Sequence, residues 1–255
     1  MKAIILNSGI GKRLEELTKN KPKCMVDLYN NETILERQIR ILQKYGIKNY
    51  IITTGPFQQQ MKDLCNKKFK ELNIKFVHND KYDSTNYIYS IYLAKKSITN
   101  EQIIMMHGDL VFDENLIKEI TKTQIQNIGL INKKEKLPEK DFKAKIIEEK
   151  IIEISVNLSS QKNVYTFMPL YKLDKQITNL WLEEIEKYIN QNNVNVYAEE
   201  ALNQITNEIQ LNYFEYSNYY CKEIDDKKDL ETVNKEIEGI DKNESSWIYR
   251  TKLNK

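Results

Sequence analysis

The sequence predicts an α/β domain of three layers, with a mixed, mostly parallel sheet covered by helices on both faces and a small antiparallel elaboration. Three observations lead there. Short apolar runs alternate with helix-period segments through the first half of the chain, the spacing of parallel strands joined by covering helices. The first run, Lys2-Ala3-Ile4-Ile5-Leu6-Asn7, passes straight into a glycine turn, Ser8-Gly9-Ile10-Gly11-Lys12-Arg13-Leu14. After Asn132 the texture turns to charged residues in alternation, which suits antiparallel ribbon.

The elements follow in order. Thr33 caps a helix with Leu35, Ile39 and Leu42 on one face, and Gly46 stops it. Asn49 to Thr54 is the second strand, ended by Gly55-Pro56. Met61, Leu64 and Cys65 mark a second amphipathic helix, and Ile74 to Val77 a third strand. Asp83-Ser84-Thr85-Asn86 caps a helix bearing Ile88, Ile91 and Tyr92. Gln102 to Met106 is the fourth strand. Asp113 caps the next helix (Leu116, Ile117, Ile120), and Ile128 to Ile131 is another strand. Lys145 to Glu148 and Ile151 to Val156 form the ribbon, and Tyr165 to Tyr171 an aromatic-rich strand. A long helix runs from Asp174 to Asn190, a shorter one starts at Glu199, and Leu211 to Tyr216 returns to strand. The last helix spans about Asp226 to Ile237.

Length and composition bound the rest. At 255 residues and 40% hydrophobic, the chain can bury one full core, so a single domain over 1–237 is expected, followed by a polar tail over 238–255. In that tail Trp247-Ile248-Tyr249 docks on the body or on a second subunit, as in a homodimer, or stays mobile. The net charge of +2 from 39 basic and 37 acidic residues argues against a dedicated nucleic-acid binder. No apolar run of about 18 residues exists, so no membrane span is expected, and the first strand is too short for a signal peptide. Cys24, Cys65 and Cys221 are widely spaced, without a C-x-x-C pair or a histidine partner. They read as reduced thiols of a cytoplasmic protein.

The chemistry concentrates at the glycine turn. Its glycines let backbone N–H groups approach a phosphate closely, and Arg13 and Lys23 neutralise charge, one as a fork and one as a point charge. There is no G-x-x-x-x-G-K-[ST], and Leu14 stands where G-x-G-x-x-G has its third glycine. Taken alone, these residues favour a plain tight turn. With Thr18-Lys19-Asn20-Lys21-Pro22-Lys23 added, the pattern strand, G-x-G-K-R-L, T-x-x-x-P-K resembles the signature of the nucleotidyltransferases that make sugar-nucleotides and CDP-alcohols. Asn7-Ser8 departs from that family's commoner alanine-containing pair.

The resemblance implies a Rossmann-like three-layer nucleotidyltransferase fold, with a nucleotide-binding half over 1–132 and an acceptor-binding half over 133–237. It assigns nucleotide contacts to Leu6, Asn7, Ser8, Gly9, Gly11, Lys12 and Arg13. The segment Asn79 to Tyr92 resembles its counterpart in CTP:phosphocholine cytidylyltransferases, which adds Asn86 and Ser90 as nucleoside contacts. Their plainer reading is a cap and helix packing. Asp109 follows an apolar strand, where ligands of open α/β sheets bind, and Asp225 follows a short strand-like run. Singly they read as a loop aspartate and a helix N-cap. The resemblance makes them the two ligands of one Mg²⁺, with Mn²⁺ able to substitute and Glu223 as a third ligand. His107 reads as a strand-end histidine satisfied by the backbone. The reaction needs no base there, because the attacking phosphate oxygen is already ionised.

At the acceptor end, Tyr165, Phe167, Tyr171, Trp181 and Tyr197, with Glu199 and Glu200, suit an ammonium head group; an aromatic stripe in such a domain is also ordinary core. Tyr171, Tyr197, Glu199 and Glu200 are the expected acceptor contacts. The implied activity is transfer of CMP from CTP to a small phosphorylated or phosphonate acceptor, of the phosphocholine, aminoethylphosphonate or glutamine phosphate type, with pyrophosphate leaving. Arg13, Lys23, Asp109 and Asp225 carry the chemistry. Products of that kind serve capsule and lipopolysaccharide decoration. Two other readings are a hexose-1-phosphate nucleotidyltransferase using UTP or dTTP and a non-catalytic nucleotide-binding regulatory subunit. A dinucleotide-binding oxidoreductase fails at Leu14.

Overall fold

A computed structural model describes the backbone of residues 1–253 and the side chains of residues 1–242. The first strand, β1 (Lys2–Asn7), is buried on both faces. Its alternating side chains feed two separate cores, Ile4 and Leu6 into one and Ala3 and Ile5 into the other, as a period of two dictates. β1 pairs in parallel with β2 (Asn49–Thr54) and β4 (Ile103–His107), with Ile4 opposite Ile51 and Met105. β3 (Asn73–His78) adds in parallel to β2 at one edge.

Beyond β4 the order departs from sequence. β9 (Val164–Leu173) lies antiparallel between β4 and β6 (Ile128–Asn132), and β10 (Asn212–Glu215) completes the path, parallel to β6. The expected ribbon is β7 (Lys143–Ile147) and β8 (Lys150–Ser155), hung on the first part of β9 with Lys143 opposite Thr166. A separate two-stranded sheet pairs β5 (Leu110–Phe112) with β11 (Cys221–Glu223).

The helices α1 (Ile34–Lys44), α2 (Gln58–Lys68) and α4 (Glu114–Lys122) contribute buried residues to one core. α3 (Tyr87–Ile98), α5 (Lys175–Asn190) and α6 (Ala198–Asn203) contribute to the other. Caps fall where the sequence places them at Thr33, Asn86 and Asp113, and Asp174, expected as the first residue of its helix, is a cap as well. Thr33 and Glu36 form a reciprocal capping box, Asn86 accepts from the Tyr87 N–H, Asp113 from Leu116 and Asp174 from Ile177.

The last helix, α7 (Lys227–Leu253), runs well past the expected end at Ile237. The described start of the extension, through residue 242, is docked. Arg37, 2% exposed, forks onto Asp241 through Nη1 at 2.8 Å and Nη2 at 2.9 Å, and the Tyr29 hydroxyl donates to the same carboxylate at 2.8 Å. Residues 238–242 are therefore part of the folded body. Trp247 lies outside the residues whose side chains are described. No helix among the described residues is long and apolar enough to cross a membrane.

Candidate active site

The C-terminal ends of β1 and β4 place the glycine turn beside Asp109. Gly11 sits at φ 71°, and a Cβ there would lie 2.9 Å from Lys23 Cβ, so glycine is required for both reasons. The Thr18 hydroxyl donates to Gly11 O at 2.8 Å and ties the turn shut, which explains the threonine of the T-x-x-x-P-K segment. Leu14 is fully buried against Ile34, Ile224 and Val233, while Arg13 projects outward with 70% of its side chain exposed. Glu15, at φ 50° and ψ −117°, is strained, and Lys227 holds its carboxylate at 2.6 Å.

Pro22 leads in extended conformation into a 3-10 turn over Lys23–Met25, whose middle residue, Cys24, packs into the core. Lys23 is thereby aimed across the turn. Its Nζ donates to Asp109 Oδ2 at 2.6 Å and to Asp225 Oδ1 at 3.0 Å, and Arg13 Nη2 donates to Asp225 Oδ1 at 2.7 Å. Four residues spread over more than two hundred positions meet in one cluster. Asp225 is not a helix cap; Asp226 Oδ1 takes the N–H groups of Lys228 and Asp229 instead. Asp109 reaches this position because Gly108 lies against β1: a Cβ there would fall 1.6 Å from Asn7 Oδ1 and 2.8 Å from Leu6 O.

Charge is finely opposed in the cluster. Burial alone would lower the Lys23 pKa, but Asp109 and Asp225 outweigh it and hold the ammonium above its ordinary value. Burial likewise pushes Asp109 up, while Lys23 and His107 bring it below the usual range. Glu223 goes the other way, raised by burial despite its hydrogen bond from His107. Two buried polar atoms have no partner here, Asp109 Oδ1 and Asn7 Nδ2.

His107 is not satisfied by the backbone as the sequence suggested. Its Nδ1 lies 3.3 Å from Glu223 Oε1, and its ring packs edge-on against Tyr87 at 4.7 Å between centroids. His107, Asp109 and Glu223 each offer a ligand atom within 4.8 Å of the others. The set is therefore richer than the Asp109–Asp225 pair alone.

Two cavities share this cluster. The first, about 280 Å³, is lined by Leu6, Asn7, Gly9, Gly11, Lys12, Arg13, Lys23 and both aspartates. The second, about 300 Å³, adjoins it through Leu6, Gly9 and Asp109, and is lined by Ser8, Asn79, Tyr82, Thr85, Asn86, Tyr87, Ser90, His107 and Asn195. All expected nucleotide residues border one cavity or the other. Asn79, Tyr82, Thr85, Tyr87 and Asn195 were not singled out in advance, although four of them lie in the stretch that carried the resemblance.

The expected acceptor residues divide. Tyr171 is 1% exposed and its hydroxyl donates to Glu199 Oε1 at 2.6 Å; the Tyr87 hydroxyl takes the other oxygen of Glu199, itself 1% exposed. Burial and the Glu199 charge push both tyrosine pKa values well up. Phe167 and Trp181 are core, the indole donating to Ala198 O at 2.9 Å. Tyr197 is 37% exposed and lies 6.0 Å from Tyr87 and 5.0 Å from Phe142 between ring centroids, so it reaches the second cavity through the Tyr87 ring. Glu200 is exposed and lines neither cavity.

Residues 2–142, more than half of the chain, match the family model described as nucleotidyl transferase. The CTP:phosphoglutamine cytidylyltransferase of Campylobacter jejuni is 28% identical over 246 residues, covering 88% of this chain and 93% of that protein. The choline-phosphate cytidylyltransferase of Streptococcus pneumoniae is 39% identical over 104 residues, but the match spans 41% of this chain and 43% of that protein, less than half of either. A solved structure of CTP:phosphocholine cytidylyltransferase from Streptococcus pneumoniae has a TM-score of 0.74 at 24% identity, covering 92% of this chain and 98% of that one, which is a likeness of fold.

Proposed function

This chain belongs to the nucleotidyl transferase family, and we propose that within it the chain transfers CMP from CTP to a small phosphorylated or phosphonate acceptor, releasing pyrophosphate. The observation that carries this reading is Lys23 held between Asp109 and Asp225, with Arg13 on the same carboxylate, beside a glycine turn rich in N–H groups. The relatives matched, which act on phosphoglutamine and phosphocholine, support the cytidylyl and small-acceptor parts.

The reaction is an in-line displacement. An acceptor oxygen forms a bond to the α-phosphorus, the bond to the bridging oxygen breaks, and pyrophosphate carries the charge away. It asks for positioning and neutralisation of charge. The turn from Gly9 to Arg13 holds the β- and γ-phosphates, and Arg13 counters the leaving group. Lys23 bridges the α-phosphate and the incoming oxygen, and the unpartnered Asn7 Nδ2 is a further donor into the same cavity. The second cavity, lined away from Asp109 and His107 by neutral side chains, most of them polar, takes the nucleoside.

Asp109 and Asp225 would hold Mg²⁺, or Mn²⁺ in its place, with Glu223 as a third ligand. The fit rests on hard carboxylate oxygens and on the free Asp109 Oδ1. Such an ion supplies polarisation of the α-phosphate. The acceptor approaches past the contacting rings of His107, Tyr87, Phe142 and Tyr197, of which Tyr87 donates its hydroxyl to the buried Glu199 carboxylate; this wall suits an acceptor with an ammonium group.

The test is pyrophosphate release with Mg²⁺ across the four nucleoside triphosphates, each paired with phosphocholine, aminoethylphosphonate, glutamine phosphate and hexose 1-phosphates. Release with CTP and one small acceptor is expected. Release with UTP or dTTP and a sugar phosphate overturns the reading, as does intact CTP binding with no release in any pairing.

A further inference from the structure

Four side chains beside the second cavity form a hydrogen-bond chain whose direction is fixed. The Lys81 N–H donates to Asn79 Oδ1 at 2.9 Å. A main-chain N–H can only donate, so Oδ1 must face it, and the two Nδ2 hydrogens face Thr85 Oγ1 at 3.1 Å and Ser90 Oγ at 3.0 Å. Thr85 passes its own hydrogen to Lys81 O at 2.7 Å. Ser90 accepts from Asn79, and its hydroxyl hydrogen finds Ser8 Oγ at 2.9 Å as its acceptor among the described residues. Asn79 and Ser90 are each 1% exposed, and a buried donor left unmatched is costly. The polarity therefore runs Asn79 to Ser90 to Ser8.

Two consequences follow. Ser90, expected to touch the nucleoside, spends its hydroxyl inside the protein. Ser8, at the cavity wall, receives a hydrogen bond and has its own hydrogen left over, with no acceptor for it among the described residues.

We propose that Ser8 is the residue that selects the base: a hydrogen-bond donor facing the pyrimidine's pairing edge, with Asn79 and Ser90 as the positioning residues that leave its hydrogen for the ligand. The inference rests on the reading above that the second cavity takes the nucleoside. Cytosine presents a lone pair at N3, whereas uracil and thymine present an N–H there. Donating to N3 of cytosine gives the Ser8 hydrogen an acceptor, whereas taking the N–H of uracil or thymine on its second lone pair leaves that hydrogen without one, which is discrimination by an unmatched polar group. A hydroxyl whose hydrogen had another acceptor would take either base.

The experiment measures CTP and UTP binding by calorimetry, which needs no acceptor, and kcat/KM with both nucleotides. Wild type is compared with Ser8→Ala, Ser90→Ala and Asn79→Asp, each first shown to melt cooperatively. Ser8→Ala is expected to weaken CTP by about tenfold, the worth of one neutral hydrogen bond, and to leave UTP within about twofold. Ser90→Ala leaves room beside Ser8 for a water that takes the Ser8 hydrogen, so UTP improves while CTP falls slightly. Asn79→Asp puts an acceptor at the head of the chain, reverses it, and moves preference toward UTP. Should that buried aspartate prevent folding, the two serine variants decide. Equal losses of CTP and UTP in Ser8→Ala, or an unchanged preference, overturn the inference while leaving cytidylyl transfer standing. A wild-type protein that does not prefer CTP overturns both.

Discussion

Replacing Lys23 by alanine removes the cation around which the site closes. In the intact protein its side chain is 14% exposed and its Nζ sits 2.6 Å from Asp109 and 3.0 Å from Asp225, with a pKa held above the ordinary lysine value by the two carboxylates. It is a fixed, largely desolvated positive charge across the neutral range. A donor of this kind, aimed where charge builds during displacement, contributes about 3–4 kcal/mol in a water-poor site, or roughly 10²–10³ in kcat. The triphosphate still has the turn's N–H groups, Lys12 and Arg13, so CTP affinity should stay within about threefold. Lys23→Arg should rescue little, because a planar fork cannot replace a point charge placed between two carboxylates. Pyrophosphate release gives kcat and calorimetry gives Kd. A hundredfold loss of affinity with kcat unchanged would refute the assignment, since Lys23 would then be a ground-state anchor.

Three further outcomes are expected. Asp241→Asn leaves Arg37 buried with half of its fork unmatched, which costs on the order of 3 kcal/mol and lowers Tm by roughly 10 °C; calorimetric melting checks it, with activity per folded molecule unchanged. Burial would raise the Asp241 pKa, but the Arg37 fork depresses it. Its contribution is therefore present above the unfolded aspartate value of about 4 and is lost as pH falls through the lower folded value, so the Asp241→Asn penalty should shrink in acid. Tyr171→Phe strips a hydrogen bond from the buried Glu199 and should cost about 1–3 kcal/mol of stability with the acceptor KM little changed, whereas Tyr197→Ala should raise that KM several-fold and leave Tm alone. Cys24, Cys65 and Cys221 are all buried, and desolvation pushes each thiol up, Cys65 to about 12. Disulfide-exchange reagents should label none of them in the native protein and all of them in denaturant.

Continuous apolar runs and capping residues made most of the fold legible. Asn49–Thr54 and the caps at Thr33, Asn86 and Asp113 fall where sequence placed them, because a strand buried on both faces and a capped first turn are local patterns. What sequence could not show depends on distant partners. Leu110–Phe112 is a strand because Cys221–Glu223 pairs with it. α7 outruns its apolar stripe because Arg37 and Tyr29 wait for Asp241. At the site, Arg13 and Lys23 could be named from the glycine turn and its neighbours, and Asp109 and Asp225 from the family resemblance, but the His107–Glu223 contact could not. Nor could the spent hydroxyl of Ser90 or the burial of Tyr171, since each turns on which of several polar neighbours a side chain faces.

The antiparallel β9 also bears on the order in which the chain can complete itself during synthesis. β4, β1, β2 and β3 are all made early, and so is β6, yet among the described residues β6 is joined to β4 only through β9. Until residues 164–173 emerge, β4 and β6 each present a bare row of N–H and C=O groups, a template for pairing with another chain. The stretch that matches the family model ends at residue 142 and so stops short of the strand that joins those edges. A fragment cut there should aggregate through β4, the strand whose end carries Asp109, and late delivery of β9 makes assembly of the site one of the last events of folding.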